Sequence, residues 1–154
     1  MKISTRGHYA VQAMVDLACQ PNNSPTSLSV VAARQDLSQN YLEQLFVKLR
    51  KYDLVKSVRG PGGGYMLAND ASKITIGDVF RAVDETLVIT ECAETQEGDV
   101  PACSKLNDCR TQMLWAKLVI HFNELLYSIT VDDVAKGNVE FPFVGVNREA
   151  SLNK

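Results

Sequence analysis

At 154 residues with 45% hydrophobic content, the chain suits one domain, or one small domain with an appendage, around a packed core. No apolar run approaches the roughly 20 residues of a membrane span, and the segment from Met1 to Arg6 lacks the apolar stretch of a signal peptide, so a cytoplasmic setting with reduced thiols and no membrane partner is expected. The net charge of −2 hides an asymmetry: residues 1–60 carry eight Lys and Arg against four Asp and Glu, residues 61–154 eight against fourteen, which points the first part toward a polyanion.

Ala10, Ala13, Met14, Leu17 and Ala18 recur at helical spacing and predict a helix over residues 5–19. Cys19 closes this apolar stripe and reads as a buried structural thiol. Pro21-Asn22-Asn23-Ser24-Pro25 ends the helix. A short helix over 29–35 and a tight turn at Asp36-Leu37-Ser38 follow, with Ser38 placed to cap a third helix reaching Lys51. Leu42, Leu45, Phe46 and Leu49 form the core stripe of that helix. Gln39, Asn40 and Tyr41 occupy its first turn. Asn40, Gln44, Val47, Lys48 and Lys51 lie opposite the stripe, Tyr41 beside them and Glu43 on the flank.

Residues 54–59 read as a strand, Gly60-Pro61-Gly62-Gly63-Gly64 as a glycine-rich turn, and 65–67 as the returning strand. Thr75 with Asp78 predicts a capping box for a helix over 76–84. A polar stretch with Gly98 and Pro101 reads as a loop. A long helix is expected over 109–128, and Thr130 with Asp133 repeats the capping signal for a short last helix ending near Gly137. Helix, short helix, turn, helix and hairpin, in that order, make a winged helix-turn-helix. The expected fold is mostly α with a small β wing and a long C-terminal dimerisation helix. It divides into a DNA-binding domain over 1–84, a cysteine loop with dimerisation helices over 85–136, and a flexible tail over 137–154.

The third helix suits direct base readout. Gln44 and Asn40 each offer a donor and an acceptor to an adenine edge, Ser38, Gln39 and Tyr41 can reach bases or phosphates, and Lys48 and Lys51 suit phosphates. Glu43 can accept from a cytosine amino group or repel wrong sequences; a solvated carboxylate without a role is the plainer alternative. The segment from Ser57 to Tyr65 lacks the Lys-Ser/Thr of a phosphate-binding loop. It reads instead as a wing, in which Gly60 and Gly62 let the backbone approach DNA and Arg59 enters a narrow minor groove.

Cys92, Cys103 and Cys109 share one loop, with ten and five residues between them. Three soft thiolates at this spacing match no zinc finger and can hold an iron–sulfur cluster, zinc or cuprous copper. The acids around them, Glu91, Glu94, Glu97, Asp99 and Asp108, would not stabilise bare thiolates but would tolerate a cationic centre. His8 and His121 are the only histidines, His8 in the first turn of the first helix and His121 beside the apolar arc of the long one. No Cys-x-x-Cys and no base partner support an enzyme. The broad arc of Leu114, Trp115, Leu118, Val119, Phe122, Leu125, Leu126 and Ile129 exceeds what one small core can cover, so a homodimer reading a palindromic operator on double-stranded DNA is expected.

From residue 1 to about 136 the chain resembles the Rrf-type winged-helix regulators, and most of all their iron–sulfur-sensing branch. The resemblance rests on Tyr41-Leu42-Glu43-Gln44-Leu45-Phe46, on Ser57-Val58-Arg59-Gly60-Pro61-Gly62-Gly63-Gly64-Tyr65, on Ala82-Val83-Asp84-Glu85, and on the cysteine triplet followed by Met113-Leu114-Trp115. It implies a homodimeric transcription regulator of cluster-assembly genes, holding an iron–sulfur cluster, 2Fe–2S rather than 4Fe–4S, on three cysteines. Cluster-assembly scaffold proteins are implied as further partners, and Glu43 as a residue with which the cluster-free form rejects one class of site. Two positions depart from the branch: the first cysteine gap is longer, and Gln112 stands where the fourth ligand, a histidine, is expected. Nitric-oxide-sensing members take a ligand from the partner's first helix, where His8 stands here, which implies His8 as the fourth ligand.

Overall fold

The computed structural model describes residues 3–86 and 109–139. Helix α1, Thr5–Ala18, starts at Ser4, whose hydroxyl accepts from the Gly7 amide. It buries Ala10, Ala13, Met14 and Leu17. Cys19 is exposed, against the expectation of a buried thiol. The helix stops at Ala18, and two residues beyond Leu17 carry Cys19 roughly 200° round the axis, away from the stripe.

Helix α2, Leu28–Gln35, is capped by Ser27 and ends at Asp36 in the left-handed conformation, φ 53°. Helix α3, Gln39–Lys51, buries the expected stripe of Leu42, Leu45, Phe46 and Leu49. Ser38 occupies the cap position, but its hydroxyl makes no capping bond; only its carbonyl joins the helix, accepting from the Leu42 amide at 3.0 Å. Strands β1, Val55–Val58, and β2, Gly64–Leu67, pair antiparallel, from Val55 opposite Leu67 to Val58 opposite Gly64. Thr26 and Tyr65 exchange two backbone hydrogen bonds of 2.8 Å, tying the wing to the entry of α2. That contact fixes residue 64 as glycine: a Cβ there would lie 2.3 Å from the Thr26 carbonyl.

Helix α4, Ile76–Ala82, is opened by the Thr75–Asp78 capping box. It ends two residues before the sequence suggested, because Asp84 turns the chain in the left-handed conformation, φ 54°. Helix α5, Gln112–Ser128, leads into α6, Val131–Lys136, which opens with the matching Thr130–Asp133 box. The two boxes lie side by side: Thr75 and Thr130 form a β-bridge, with Ile76 N–H to Ile129 O at 2.9 Å and Val131 N–H to Ile74 O at 2.8 Å.

The core gathers α1, α2, α3, α4, α6 and the base of the wing. Phe46, Met14, Leu17, Leu42 and Leu49 are fully buried at its centre, each worth about 1.5–3 kcal/mol of burial. Helix α5 is different. It reaches the body through α4, where the Tyr127 ring occupies the space a side chain at Gly77 would fill, and through Leu126 and Ile129. None of its 17 residues is buried. Met113 is 76% exposed, Leu114 53%, Ile120 54% and Leu125 53%.

Candidate nucleic-acid interface and cysteine loop

Helix α3 turns a polar face to solvent because its apolar residues repeat on one side only. Ser38, Gln39, Asn40, Glu43, Gln44 and Lys51 are all exposed. Tyr41 is half-buried, its ring edge-on to Tyr9 of α1 at 5.9 Å. Gln39 donates to Glu43 Oε1 at 3.1 Å, so the acid on the flank holds one of the residues suited to base contact. Lys48 Nζ lies 2.6 Å from Asp84 Oδ2 and is already paired within the chain. Asp84 is held below its ordinary value of 3.8 by that hydrogen bond and by the charges of Lys48, Arg6 and Lys51.

Arg59, Gly60, Pro61 and Gly62 project into solvent at the tip of the hairpin. Arg59 makes no ion pair among the described residues. Gly60 and Gly62 have φ of +108° and +76°, and a Cβ added at either would meet no described atom within 4 Å, which leaves the tip open to a close approach. The wing packs directly on α3 through the contact of that helix with β1.

Arg6, on the first turn of α1, carries no signal in the sequence. Its Nη2 donates to the Asp84 carbonyl at 2.6 Å and its Nε lies 3.8 Å from Glu85 Oε2. Burial alone would raise the Glu85 carboxyl, but hydrogen bonds from the Ser4 hydroxyl and amide and the Arg6 charge outweigh it and lower it below 4.5. Asp16 is equally silent in the sequence. It is buried, and accepts from Arg34 Nη2 at 2.6 Å and Gln35 Nε2 at 2.9 Å. Both acids are placed by partners distant in sequence, so no local pattern marks them.

Cys92 and Cys103 lie outside the described residues. Cys109 is half-buried just ahead of α5, its Sγ 3.3 Å from Thr111 Oγ1. Gln112 is the first residue of α5 and is half-buried. His121 is exposed and bonded through Nδ1 to Glu124 Oε2 at 3.1 Å. His8 is exposed on α1, its ring 5.7 Å from that of Tyr9. It lines a groove of about 490 Å³ with Val11, Val15, Cys19 and, from α6, Val134. No residue between 109 and 128 lines that groove, so His8 and Cys109 do not meet there. Among the described residues no three His, Cys, Asp or Glu side chains gather closely enough to hold a metal ion, and no helix is long and apolar enough to cross a membrane.

The Rrf2 family profile, described as an iron-dependent transcriptional regulator, matches residues 3–137. The chain is 42% identical over 134 residues to the HTH-type transcriptional regulator IscR of Sodalis glossinidius, covering 87% of this chain and 78% of that protein. It is 45% identical over 138 residues to IscR of Vibrio campbellii, covering 90% and 79%. Among solved structures it is similar to T. potens IscR, with a TM-score of 0.70 and 41% identity over 94% of this chain and 93% of that one. It is also similar to CymR, the global cysteine regulator of B. subtilis, with a TM-score of 0.72 and 36% identity over 89% and 98%.

Proposed function

The chain belongs to the Rrf2 family of transcriptional regulators, which are DNA-binding proteins and not enzymes, and we propose that within it this protein senses an iron–sulfur cluster. In this reading two protomers pair through α5 and set their α3 helices into successive major-groove half-sites of a palindromic operator. Asn40 and Gln44 read base edges, Ser38, Gln39, Tyr41, Lys48 and Lys51 contact bases or backbone, and Arg59 enters the minor groove where Gly60 and Gly62 let the backbone approach. Glu43 restricts the choice of site. The observation that carries the DNA-contact reading is the exposed polar face of α3 lying beside a wing whose arginine has no ion-pair partner among the described residues.

The cluster reading rests on donor chemistry. Cys92, Cys103 and Cys109 supply soft thiolates of the kind that hold iron–sulfur clusters, and the relatives named IscR point to the same branch of the family. Gln112 is a poor iron ligand, whereas the exposed His8 has both ring nitrogens free of hydrogen bonds among the described residues, so His8 of one protomer completes the site on the other. A 2Fe–2S cluster held by these residues would supply redox-sensitive chemistry. The protein's own part is to present the thiols, to offer His8 from α1, and to carry the difference between the two states to the paired α3 helices. The protein acts in the cytosol on cluster-assembly genes, its own operon included, and exchanges clusters with assembly scaffolds.

Anaerobic purification with absorbance spectra and iron and sulfide assays tests this. A red-brown protein with equal iron and sulfide is expected, and His8→Ala should alter its spectrum and shorten its lifetime. A colourless protein that carries zinc would replace the sensor with a structural metal. A cluster that reacts with nitric oxide and then releases DNA would favour the second reading, a nitric-oxide-sensing repressor, for which His8 on α1 is the supporting observation.

A further inference from the structure

One lysine pairs with the Asp84 carboxylate at the edge of the recognition face, and two further cations lie around the same residue. Lys48 of α3 donates to Asp84 Oδ2 at 2.6 Å, Arg6 of α1 donates to the Asp84 backbone carbonyl at 2.6 Å, and Lys51, one turn along α3, adds its charge. The acid does not drift on the surface. Its turn, with φ 54°, is anchored on the far side by Glu85, which accepts from the Ser4 amide at 2.9 Å and fills the space beside Gly7. A carboxylate fixed at hydrogen-bond distance offers a lysine what a DNA phosphate oxygen would offer it: a negative acceptor in the same geometry.

We propose that Asp84 is an internal competitor for the DNA backbone, holding the Lys48 ammonium so that a phosphate must displace the carboxylate before α3 can use that lysine. The inference rests on the reading of α3 as the DNA-contacting helix. The two side chains are 40% and 64% exposed, so the pair is weak enough to be displaced. Its effect is therefore a several-fold weakening of binding and not a block. Because phosphates carry no sequence information, the weakening is equal on cognate and random DNA. Asp84 is thus a positioning residue: it acts on DNA only through Lys48.

A double-mutant cycle tests this with Asp84→Asn, Lys48→Ala and the two combined, each confirmed as folded by circular dichroism. Asparagine tolerates the left-handed conformation, so the turn survives the exchange. Each protein is titrated into a labelled random-sequence duplex of roughly 30 base pairs between about 50 and 200 mM salt. Asp84→Asn is expected to bind about three- to tenfold tighter at low salt, and adding Lys48→Ala is expected to cancel the gain. A gain that persists without Lys48 is bulk charge relief and overturns the inference, as does the absence of any gain. A steep salt dependence in the unmutated protein with no response to Asp84→Asn removes this inference alone; a flat salt dependence removes the reading of α3 as well.

Discussion

Arg59 stands at the wing tip with an open backbone beside it, and no described acid neutralises it. Arg59→Ala is expected to weaken operator binding by roughly tenfold at fixed salt, measured by fluorescence anisotropy; unchanged affinity would remove the wing from the interface. In the proposed reading Glu43 acts on the same surface in the opposite sense, as a negative charge that disfavours DNA phosphates, while within the protein it accepts from Gln39 Nε2 at 3.1 Å. Glu43→Gln is expected to narrow the ratio of cognate to random binding by about fivefold, a change visible in parallel titrations. Glu85, the least exposed of the carboxyls that the fold lowers, contributes to the acid limb of stability. Its carboxyl is lowered in the folded protein, so the stabilisation is fully present above its ordinary value of 4.5 and is lost as pH falls through the lowered one. Glu85→Gln should flatten the loss of stability below about pH 4 in thermal scans, while an acid limb identical to that of the unmutated protein would contradict this role. Exposure of single residues was legible where it followed from position on a helix, as for Asn40 and Gln44. Contacts were illegible where a distant partner decides them: the bond from Lys48 to Asp84 spans 36 residues, and nothing near Lys48 in the sequence announces it.

Elements were legible because each signal is local. Apolar spacing marks α1 and α3, and Thr-x-x-Asp marks the start of α4 and of α6. The ends were less legible. Helix α4 stops short because Asp84 adopts a conformation the helical pattern does not forbid, and Ser38 keeps the cap position without making the capping bond. The wing shows what local reading misses. Its glycines suggested a turn and a close approach to DNA, yet Gly64 is required by the bridge to Thr26, whose partner Tyr65 lies far along the chain. Gly64→Ala is expected to cost about 1–3 kcal/mol, read as a lowered midpoint in denaturant, since the clash is with backbone that cannot move without breaking two hydrogen bonds. A midpoint equal to that of the unmutated protein would mean that Thr26 does not hold the wing.

Across the described residues, one core serves α1 to α4, α6 and the wing, and α5 extends from it without a buried residue. Four large apolar side chains on that helix, Met113, Leu114, Ile120 and Leu125, are each more than half exposed. Burying each is worth roughly 1.5–3 kcal/mol, and a stable interface removes about 800 Å² per partner. A second copy laid along α5 would cover these side chains and give the paired α3 helices a two-fold relation. Leu114→Lys with Leu125→Lys is expected to yield a folded monomer by sedimentation, with operator affinity reduced far more than random-sequence affinity. The family and the winged-helix fold were recognisable in the sequence because its motifs are contiguous. The proposed metal site showed in the sequence only as three clustered thiols, Cys92, Cys103 and Cys109, of which the first two lie outside the described residues.

If a cluster on the cysteines changes how the dimer engages DNA, affinity must differ between the loaded and the empty protein. The duplex upstream of the protein's own gene is therefore titrated with anaerobically purified protein, before and after the cluster is removed by chelation. Affinity is expected to change by about tenfold or more between the two forms, with the cluster's colour lost in step. Equal affinity in both forms, with iron and sulfide present in the first, would contradict cluster sensing.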